Sequence, residues 1–297
     1  MFQVPRKKGQ RQLFFLVIFL IMVAVITGIV FAVAAIKNSL GDMAPRHERR
    51  AEKQEQKNQE LIEQNIVPEF GSLLEGQAYI QFTGEEFKNF YDAHQHAYVD
   101  VLIESPEITG DGDVDMYIQN LAESRGYKLR SEAFADRLSD VFGQKLQPEA
   151  KDAYVAMQKA AFTEGEHDFR LVSGYRSVER QRQIFGNSIA DLSSSDITSG
   201  NADATLNDIL DSRSIPGYSK HHTGYTVDIG CGNYHLDSSV ADSGCFAWLS
   251  ANNYHNAKRF GFIPSYPEGA SRQGPDPEPW EYVWVGEDVL LSAPYQN

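Results

Sequence analysis

The feature that most constrains this chain is an uncharged apolar run near its start, from Leu13 to Ile36. The run is slightly longer than the ~20 residues that a helix needs to cross a bilayer, so we expect a membrane-spanning helix over 13–36. The basic residues that precede it are Arg6, Lys7, Lys8 and Arg11. By the positive-inside rule they predict a cytoplasmic tail over 1–12, with everything after the run outside the cytoplasm.

A cleaved signal peptide is the alternative interpretation of this run, with Ala32-Val33-Ala34 as a possible cleavage site. The apolar part of a signal peptide usually has only ~7–15 residues, however. The length of the run therefore favours a retained anchor.

Two different segments follow the run. Residues 37–68 are charged, rich in glutamine and poor in apolar residues, which predicts a solvated stalk, helical or partly disordered, that ends at Pro68. Residues 69–145 have a mixed pattern with no functional motif. Within them, 78–94 is typical of a short strand followed by a helix, with Thr83 as N-cap and Glu86 in capping-box spacing.

Composition excludes some classes of partner. The formal net charge is -14, and an acidic surface is repelled by a phosphate backbone, so we expect no nucleic-acid partner. The sequence contains neither of the glycine-rich phosphate-binding loops, so we expect no nucleotide either.

The two cysteines, Cys231 and Cys245, both fall in the part expected outside the cytoplasm. A disulfide between them would stabilise the fold by about 3 kcal/mol in the chain-entropy model. Free thiols or two metal ligands are the alternatives, but the spacing is not that of a Cys-x-x-Cys metal pair. We therefore expect a disulfide.

From residue 146 onward the secondary-structure pattern is clearer. We expect helices over 148–165, 178–190 and 245–262, and strands within 167–177, 219–232 and 280–286. This arrangement predicts an α+β domain over 146–297, with a small antiparallel sheet and flanking helices.

Four residues in this domain are candidates for metal binding or catalysis. His221 and Asp228 would meet at one ion if the segment between them turns and enters a strand, and both residue types bind zinc. Arg176 ends a predicted strand, where its guanidinium could hold a carboxylate or an oxyanion. Glu278 could carry a proton beside a bound water. Singly, each is weak, because turn histidines and surface arginines are common.

Together these residues form a series of motifs in a fixed order. The series is SGYRS at 173–177, S-x-H-x-x-G-x-x-x-D at 219–228, a helix, GFIPSYPEG at 261–269 and EPW at 278–280. It resembles the VanY-type D-alanyl-D-alanine carboxypeptidases, zinc peptidases of the group that includes lysostaphin-like and hedgehog-like folds. The resemblance covers roughly 146–286. It implies a hedgehog-like α+β fold, one bound zinc ion and cleavage of peptide bonds in bacterial cell-wall stem peptides.

The resemblance also assigns roles by position. His221 and Asp228 match the first two zinc ligands, and Glu278 matches the base that activates water. Arg176 matches the arginine that steadies the scissile carbonyl or the substrate carboxylate. The positions that match substrate-side or supporting residues are Gln181 and Ser219.

The sequence departs from the family at the third ligand, where Glu281 replaces a histidine. In the first interpretation, Glu281 binds the metal through its carboxylate, which would make other divalent metals possible. In the second, the site has lost its metal and the domain only binds peptidoglycan. In the third, another histidine completes the site. The candidates for it are His222, His235 and His255. We prefer the three interpretations in that order.

The sequence therefore predicts a single-pass protein of the bacterial cytoplasmic membrane with its N-terminus inside. Its outer domain is expected to be a metallo-carboxypeptidase that trims D-alanine from peptidoglycan stem peptides. A non-catalytic, peptidoglycan-binding pseudo-peptidase is the alternative.

Overall fold

The structure is a computed structural model that describes residues 70–71, 73, 77–165 and 167–292. The predicted tail, membrane run and stalk (1–68) lie outside these described residues. In the part of the chain that the structure describes, no helix is both long and apolar enough to cross a membrane.

Helices and strands are interspersed along the chain. The helices are α1 Gly84–Ala93, α2 Gly112–Ser124, α3 Pro148–Gly165, α4 Val178–Ser188, α5 Ser194–Thr198, α6 Asp203–Leu210 and α7 Gly244–Lys258. The strands are β1 Val99–Val101, β2 Ser131–Ala133, β3 Ser139–Val141, β4 Gln144–Leu146, β5 Phe169–Ser173, β6 Thr226–Cys231, β7 Phe262–Pro264 and β8 Glu281–Trp284. Short 3₁₀ turns span Lys220–Thr223, Ser238–Asp242 and Asp288–Leu290.

The main sheet has four strands in the order β5-β6-β8-β7, and every neighbouring pair is antiparallel. Strand β6 is buried along its whole length. Its Asp228 lies directly opposite Glu281 of β8 and also pairs with Ser173 of β5. Two small antiparallel pairs stand apart from this sheet: β1 with β2, which α2 separates in the chain, and the hairpin of β3 and β4. A mixed fold of helices with a small antiparallel sheet is therefore confirmed.

The helix α3 has the predicted bounds, Pro148–Gly165. Pro148 occupies the first turn, where the missing N–H costs nothing. Ala150, Tyr154, Met157 and Ala161 recur at intervals of three or four residues and are all buried, and the residues 153–158 are buried without a break, so the middle of the helix is enclosed on all sides.

The segment before residue 146 shares its core with the later helices. Val114 and Ile118 of α2 belong to one apolar cluster with Phe185 of α4 and Leu206 of α6. The capping box of α1 is confirmed: Thr83 Oγ1 accepts from the N–H of Glu86 at 3.3 Å, and Glu86 Oε2 accepts from the N–H of Thr83 at 2.7 Å. These contacts show that residues 77–146 pack as part of the same unit.

Two expectations about secondary structure were wrong. The strand expected before α1 is only an isolated bridge between Tyr79 and Leu291. The helix expected over 245–262 is interrupted at Ala251–Tyr254, where three consecutive residues, Asn252 to Tyr254, have positive φ. At this break, Asn253 uses its amide to bind the backbone of Phe82, donating at 2.7 Å and accepting at 2.9 Å. Hydrogen bonds to Phe82, which is distant in sequence, thus replace the local helical hydrogen bonds at this point.

The expected disulfide is confirmed. Cys231 at the end of β6 bonds to Cys245 at the start of α7, with their Cα atoms 5.9 Å apart. The bridge closes the loop 232–244, which begins four residues after Asp228.

Candidate active site

The imidazole of His221 is fixed by a backbone carbonyl. Its Nδ1 lies 2.7 Å from the carbonyl oxygen of Gly174, which can only accept, so Nδ1 carries the proton. Nε2 then offers a lone pair on the opposite side of the ring. It faces Oδ1 of Asp228 at 3.4 Å and Oε2 of Glu281 at 3.2 Å.

The three groups form a buried donor set of the kind that holds a cation. One nitrogen or oxygen from each of His221, Asp228 and Glu281 lies within 4.8 Å of the others. Oδ1 of Asp228 is buried and has no hydrogen-bond partner in the structure. Carboxylates packed this closely need a positive charge between them. One imidazole and two carboxylates suit zinc, and the oxygen ligands also admit harder divalent ions.

The charges of this set explain two shifted pKa values. Burial by itself would lower the pKa of His221, but the carboxylates of Asp228 and Glu281 outweigh burial and raise it to about 9. Burial would likewise raise the pKa of Glu281, but the His221 cation and the hydroxyl of Ser265 lower it to about 2. In the absence of a metal, a proton on His221 therefore supplies the positive charge.

Glu278 stands beside the donor set without joining it. Its N–H donates to the carbonyl of Tyr266 at 3.0 Å, and its own carbonyl accepts from the N–H of Glu281 at 3.1 Å, so the two glutamates share one turn. Burial raises the pKa of Glu278 well above its usual range, and the carboxylates of Glu281 and Asp228 raise it further. A carboxyl in this setting binds a proton readily, as a general base must.

Arg176 reaches the same place from the end of β5. It donates to Oε1 of Gln181 at 3.0 Å and to Oγ of Ser173 at 3.2 Å, and one of its nitrogens lies 4.0 Å from Oδ2 of Asp228. Gln181 in turn donates to the carbonyl of Ser214 at 2.5 Å. Both ends of the Gln181 amide are thus occupied by the protein, so this buried side chain holds the guanidinium in place.

Ser219 precedes the histidine turn and accepts from the N–H of His221 at 3.3 Å. It also lines a cleft of about 480 Å³ at the site. The predicted residues that line this cleft are Arg176, Ser219, His221, Asp228, Glu278 and Glu281. Of the predicted catalytic, substrate-side and metal residues, six thus line the cleft, and Gln181 lies behind Arg176, to which it is hydrogen-bonded.

None of the three alternative histidines faces the donor set. His222 is buried, with Nδ1 donating to the carbonyl of Arg176 at 2.6 Å and Nε2 accepting from the N–H of Gly217 at 3.1 Å. His235 is exposed. His255 packs edge-on against Tyr79, with ring centroids 5.1 Å apart. Among the histidines of the described residues, only His221 contributes to the set.

Sequence reasoning missed several residues at this site. Ser265 donates to Oε1 of Glu281 at 2.5 Å, and Lys220 donates to the carbonyl of Ser265 at 2.5 Å. The loop residues Leu236, Asp237 and Ser238 line the cleft. Ser265 and Lys220 both lie inside quoted motifs, but only the folded chain shows which atoms they touch.

Comparison with known proteins finds a family whose model matches the segment that carries these residues. Residues 143–287 match the family described as VanY: D-alanyl-D-alanine carboxypeptidase. The VanY-type resemblance is confirmed. The VanY-type segment contains every predicted metal, catalytic and substrate-side residue of the site.

Two curated relatives illustrate the VanY-type similarity. A D-alanyl-D-alanine carboxypeptidase of Enterococcus faecalis is 31% identical over 128 residues, which are 43% of this chain and 44% of the relative. A bifunctional D-Ala-D-Ala dipeptidase and D-Ala-D-Ala carboxypeptidase, VanXYC of Enterococcus gallinarum, is 28% identical over 142 residues, or 48% of this chain and 67% of the relative. The match to the Enterococcus faecalis protein thus spans less than half of either protein.

Solved VanY structures are similar to this chain in part. VanYB in complex with D-alanine-D-alanine is 26% identical, with 52% of this chain and 79% of that chain covered and a TM-score of 0.41. A vancomycin-resistance D,D-pentapeptidase VanY in complex with Zn(II) is 27% identical, with 55% and 82% covered and a TM-score of 0.39.

Proposed function

We propose that this protein is a zinc-dependent carboxypeptidase that removes terminal D-alanine from peptidoglycan stem peptides. The observation that carries the proposal is the buried His221, Asp228 and Glu281 set, with Oδ1 of Asp228 unpartnered and Glu278 alongside. Its three donors would hold the metal, and the cleft would hold the end of the peptide.

The side chains around the cleft divide the reaction between them. When bound, zinc would make a water molecule more acidic and polarise the scissile carbonyl. Glu278 takes the proton of the attacking water and delivers it to the amine of the departing D-alanine. The bond from water oxygen to carbonyl carbon forms, and the carbon–nitrogen bond breaks.

Arg176 is the cationic group that meets the substrate. Its guanidinium lines the cleft and is oriented by Gln181, so it can donate to the developing oxyanion or to the terminal carboxylate of the peptide. The names of the VanY-type relatives support D-alanyl-D-alanine as the substrate end.

We also propose that residues 13–36 anchor the protein in the bacterial cytoplasmic membrane and that the catalytic unit lies outside the cytoplasm. Peptidoglycan is an immobile polymer near the membrane surface. An anchor followed by a charged stalk suits an enzyme that acts on such a substrate.

Metal analysis combined with a peptidase assay tests the proposal. The purified full-length chain should contain one zinc equivalent and release D-alanine from a pentapeptide that ends in D-Ala-D-Ala. A chelator should abolish release, and added Zn²⁺ should restore it. A protein that binds no metal and releases no D-alanine would contradict the proposal.

The non-catalytic alternative also has a supporting observation. Because the pKa of His221 is raised to about 9, a proton can balance the two carboxylates at neutral pH without any metal. A pseudo-peptidase would then bind stem peptides through Arg176 and leave them intact. Peptide binding without metal uptake and without D-alanine release would favour this alternative.

A further inference from the structure

The two carboxylate oxygens of Glu281 have different neighbours. Oε1 accepts a hydrogen bond from Oγ of Ser265 at 2.5 Å, whereas Oε2 faces Nε2 of His221 at 3.2 Å. We propose that Ser265 is a positioning residue that makes Glu281 a metal ligand through one oxygen only. This inference rests on the proposed metal site and specifies how its third ligand works.

Ser265 is itself held on both sides by its backbone. Its N–H donates to the carbonyl of Glu281 at 3.0 Å, which continues the pairing of β7 with β8 by one residue. Its carbonyl accepts from Nζ of Lys220 at 2.5 Å. With the backbone fixed in this way, the Ser265 hydroxyl can move only by rotation around the Cα–Cβ bond. Oε1 of Glu281 lies within hydrogen-bonding distance of it.

Lys220 is an unusual anchor because it is almost fully buried, with 3% of its surface exposed. Its Nζ lies 4.3 Å from the ring centre of Tyr91 and 3.8 Å from that of Tyr266. Both rings present their faces to the amine, which confines it to the position from which it reaches Ser265. Lys220, Ser265 and Glu281 therefore form one connected buried chain that ends at the donor set.

The consequence concerns the difference between a carboxylate and an imidazole as ligands. A histidine offers one atom, but a free carboxylate can bind through both oxygens, as it does with large ions such as Ca²⁺. The Ser265 hydroxyl occupies Oε1 and so leaves one donor atom, as the histidine expected at this position would. Three single-atom ligands leave a fourth position open, which is the arrangement of catalytic zinc sites.

Zinc titration of the full-length chain against a chromophoric chelator tests the role of Ser265. We expect Ser265→Ala to weaken Zn²⁺ binding about 10–100-fold, the usual effect of losing a group that orients a ligand. Ser265→Thr keeps the hydroxyl and should restore most of the affinity. Ser243→Ala is the matched control, because Ser243 is equally buried but caps α7 through the N–H of Phe246. The Ser243→Ala variant should bind Zn²⁺ as tightly as the wild type does.

The visible spectrum of the Co²⁺-loaded protein is a second readout, and its result for the wild type alone can contradict the inference. One-oxygen ligation by Glu281 predicts the intense spectrum of four-coordinate Co²⁺ in the wild type, and a weaker, higher-coordinate spectrum in Ser265→Ala. A higher-coordinate spectrum in the wild type would overturn the inference even if the variant failed to fold.

The outcomes separate this inference from the proposed function. If the wild type binds Zn²⁺ and folded Ser265→Ala binds it equally tightly, the role of Ser265 is refuted while the metallo-carboxypeptidase stands. If the wild type binds no metal, both fail together.

Discussion

Two glutamates three residues apart have opposite acid–base behaviour because of what each one faces. Glu281 faces the imidazole of His221 and the hydroxyl of Ser265, which lower its pKa to about 2 despite burial. Glu278 is buried beside two other carboxylates, and its pKa rises. The sequence predicted a base at 278 from the Glu-Pro-Trp motif. It could not predict the neighbours of Glu281, because Ser265 is distant in sequence and reaches Glu281 only through the pairing of β7 with β8.

Substitution of each glutamate should therefore affect a different property. Glu278→Gln should keep the zinc and reduce kcat by roughly 10²–10⁴-fold, because it removes the proton carrier. Glu281→Ala should lose the zinc. Metal content and D-alanine release should be measured on both variants to test these two expectations. Retention of zinc by Glu281→Ala would show that Glu281 is not the third ligand.

Metal affinity should also depend on pH through His221. The pKa of His221 is raised to about 9, so below this pH a proton occupies Nε2 and must leave before a metal binds. The apparent affinity for Zn²⁺ should therefore fall about tenfold for each pH unit below that value. Competition titrations between pH 7 and 9 measure the slope. A flat profile would mean that His221 is neutral in the metal-free protein.

At the scale of elements, the three donors meet because of how the sheet is ordered. β6 lies between β5 and β8, so Asp228 has Ser173 on one side and Glu281 on the other. The expected helix over 148–165 and the strands β5, β6 and β8 are confirmed, since their apolar periodicity and end signals are local. The break in α7 was not predictable, because Asn253 leaves the helix to bind Phe82, which is 171 residues away in the chain.

Gly174, which directly follows β5, is a position where an added side chain should disturb both packing and the metal site. A Cβ at this position would lie 2.6 Å from the carbonyl oxygen of Lys145, and the carbonyl of Gly174 itself holds Nδ1 of His221. Gly174→Ala should cost about 1–3 kcal/mol of stability through overpacking. It should also weaken Zn²⁺ binding about 10–100-fold by displacing the carbonyl that orients the imidazole.

The matched control for this prediction is Gly186→Ala within α4, where a Cβ meets nothing within 4 Å. That change should leave Zn²⁺ affinity unaltered and stabilise the helix by about 0.5–1 kcal/mol. Thermal unfolding and chelator competition on both variants provide the comparison. If Gly174→Ala and Gly186→Ala bind Zn²⁺ equally tightly, the carbonyl of Gly174 does not contribute to metal binding.

At the scale of the whole molecule, the cleft draws on distant parts of the chain. Its walls include Arg176 after β5, Arg213 after α6, Leu236 in the disulfide loop and Glu278 before β8. The disulfide joins the end of β6 to the start of α7, so it fixes both ends of the loop that carries Leu236, Asp237 and Ser238. The cysteines were predictable from the sequence, but their place at the cleft was not.

Removal of the disulfide should thus affect substrate binding more than the chemical step. The double variant Cys231→Ser, Cys245→Ser should lose about 3 kcal/mol of stability and raise KM, while kcat and zinc content change little. Steady-state kinetics with the pentapeptide, together with thermal unfolding, check this. The wild type treated with reductant should behave in the same way, and an unchanged KM would show that the loop does not contact the substrate.

The register of β8 has a consequence for how this site can vary. Because Glu281 stands directly opposite Asp228, its place at the donor set is set by strand pairing. A shift of β8 by one residue would turn Glu281 to the other face of the sheet, so insertions here are not tolerated. A substitution at position 281, by contrast, changes the chemistry of the third donor without moving it. In the proposed metal site, one substitution could therefore change which metal is preferred, whereas the position of the three donors is set by the sheet.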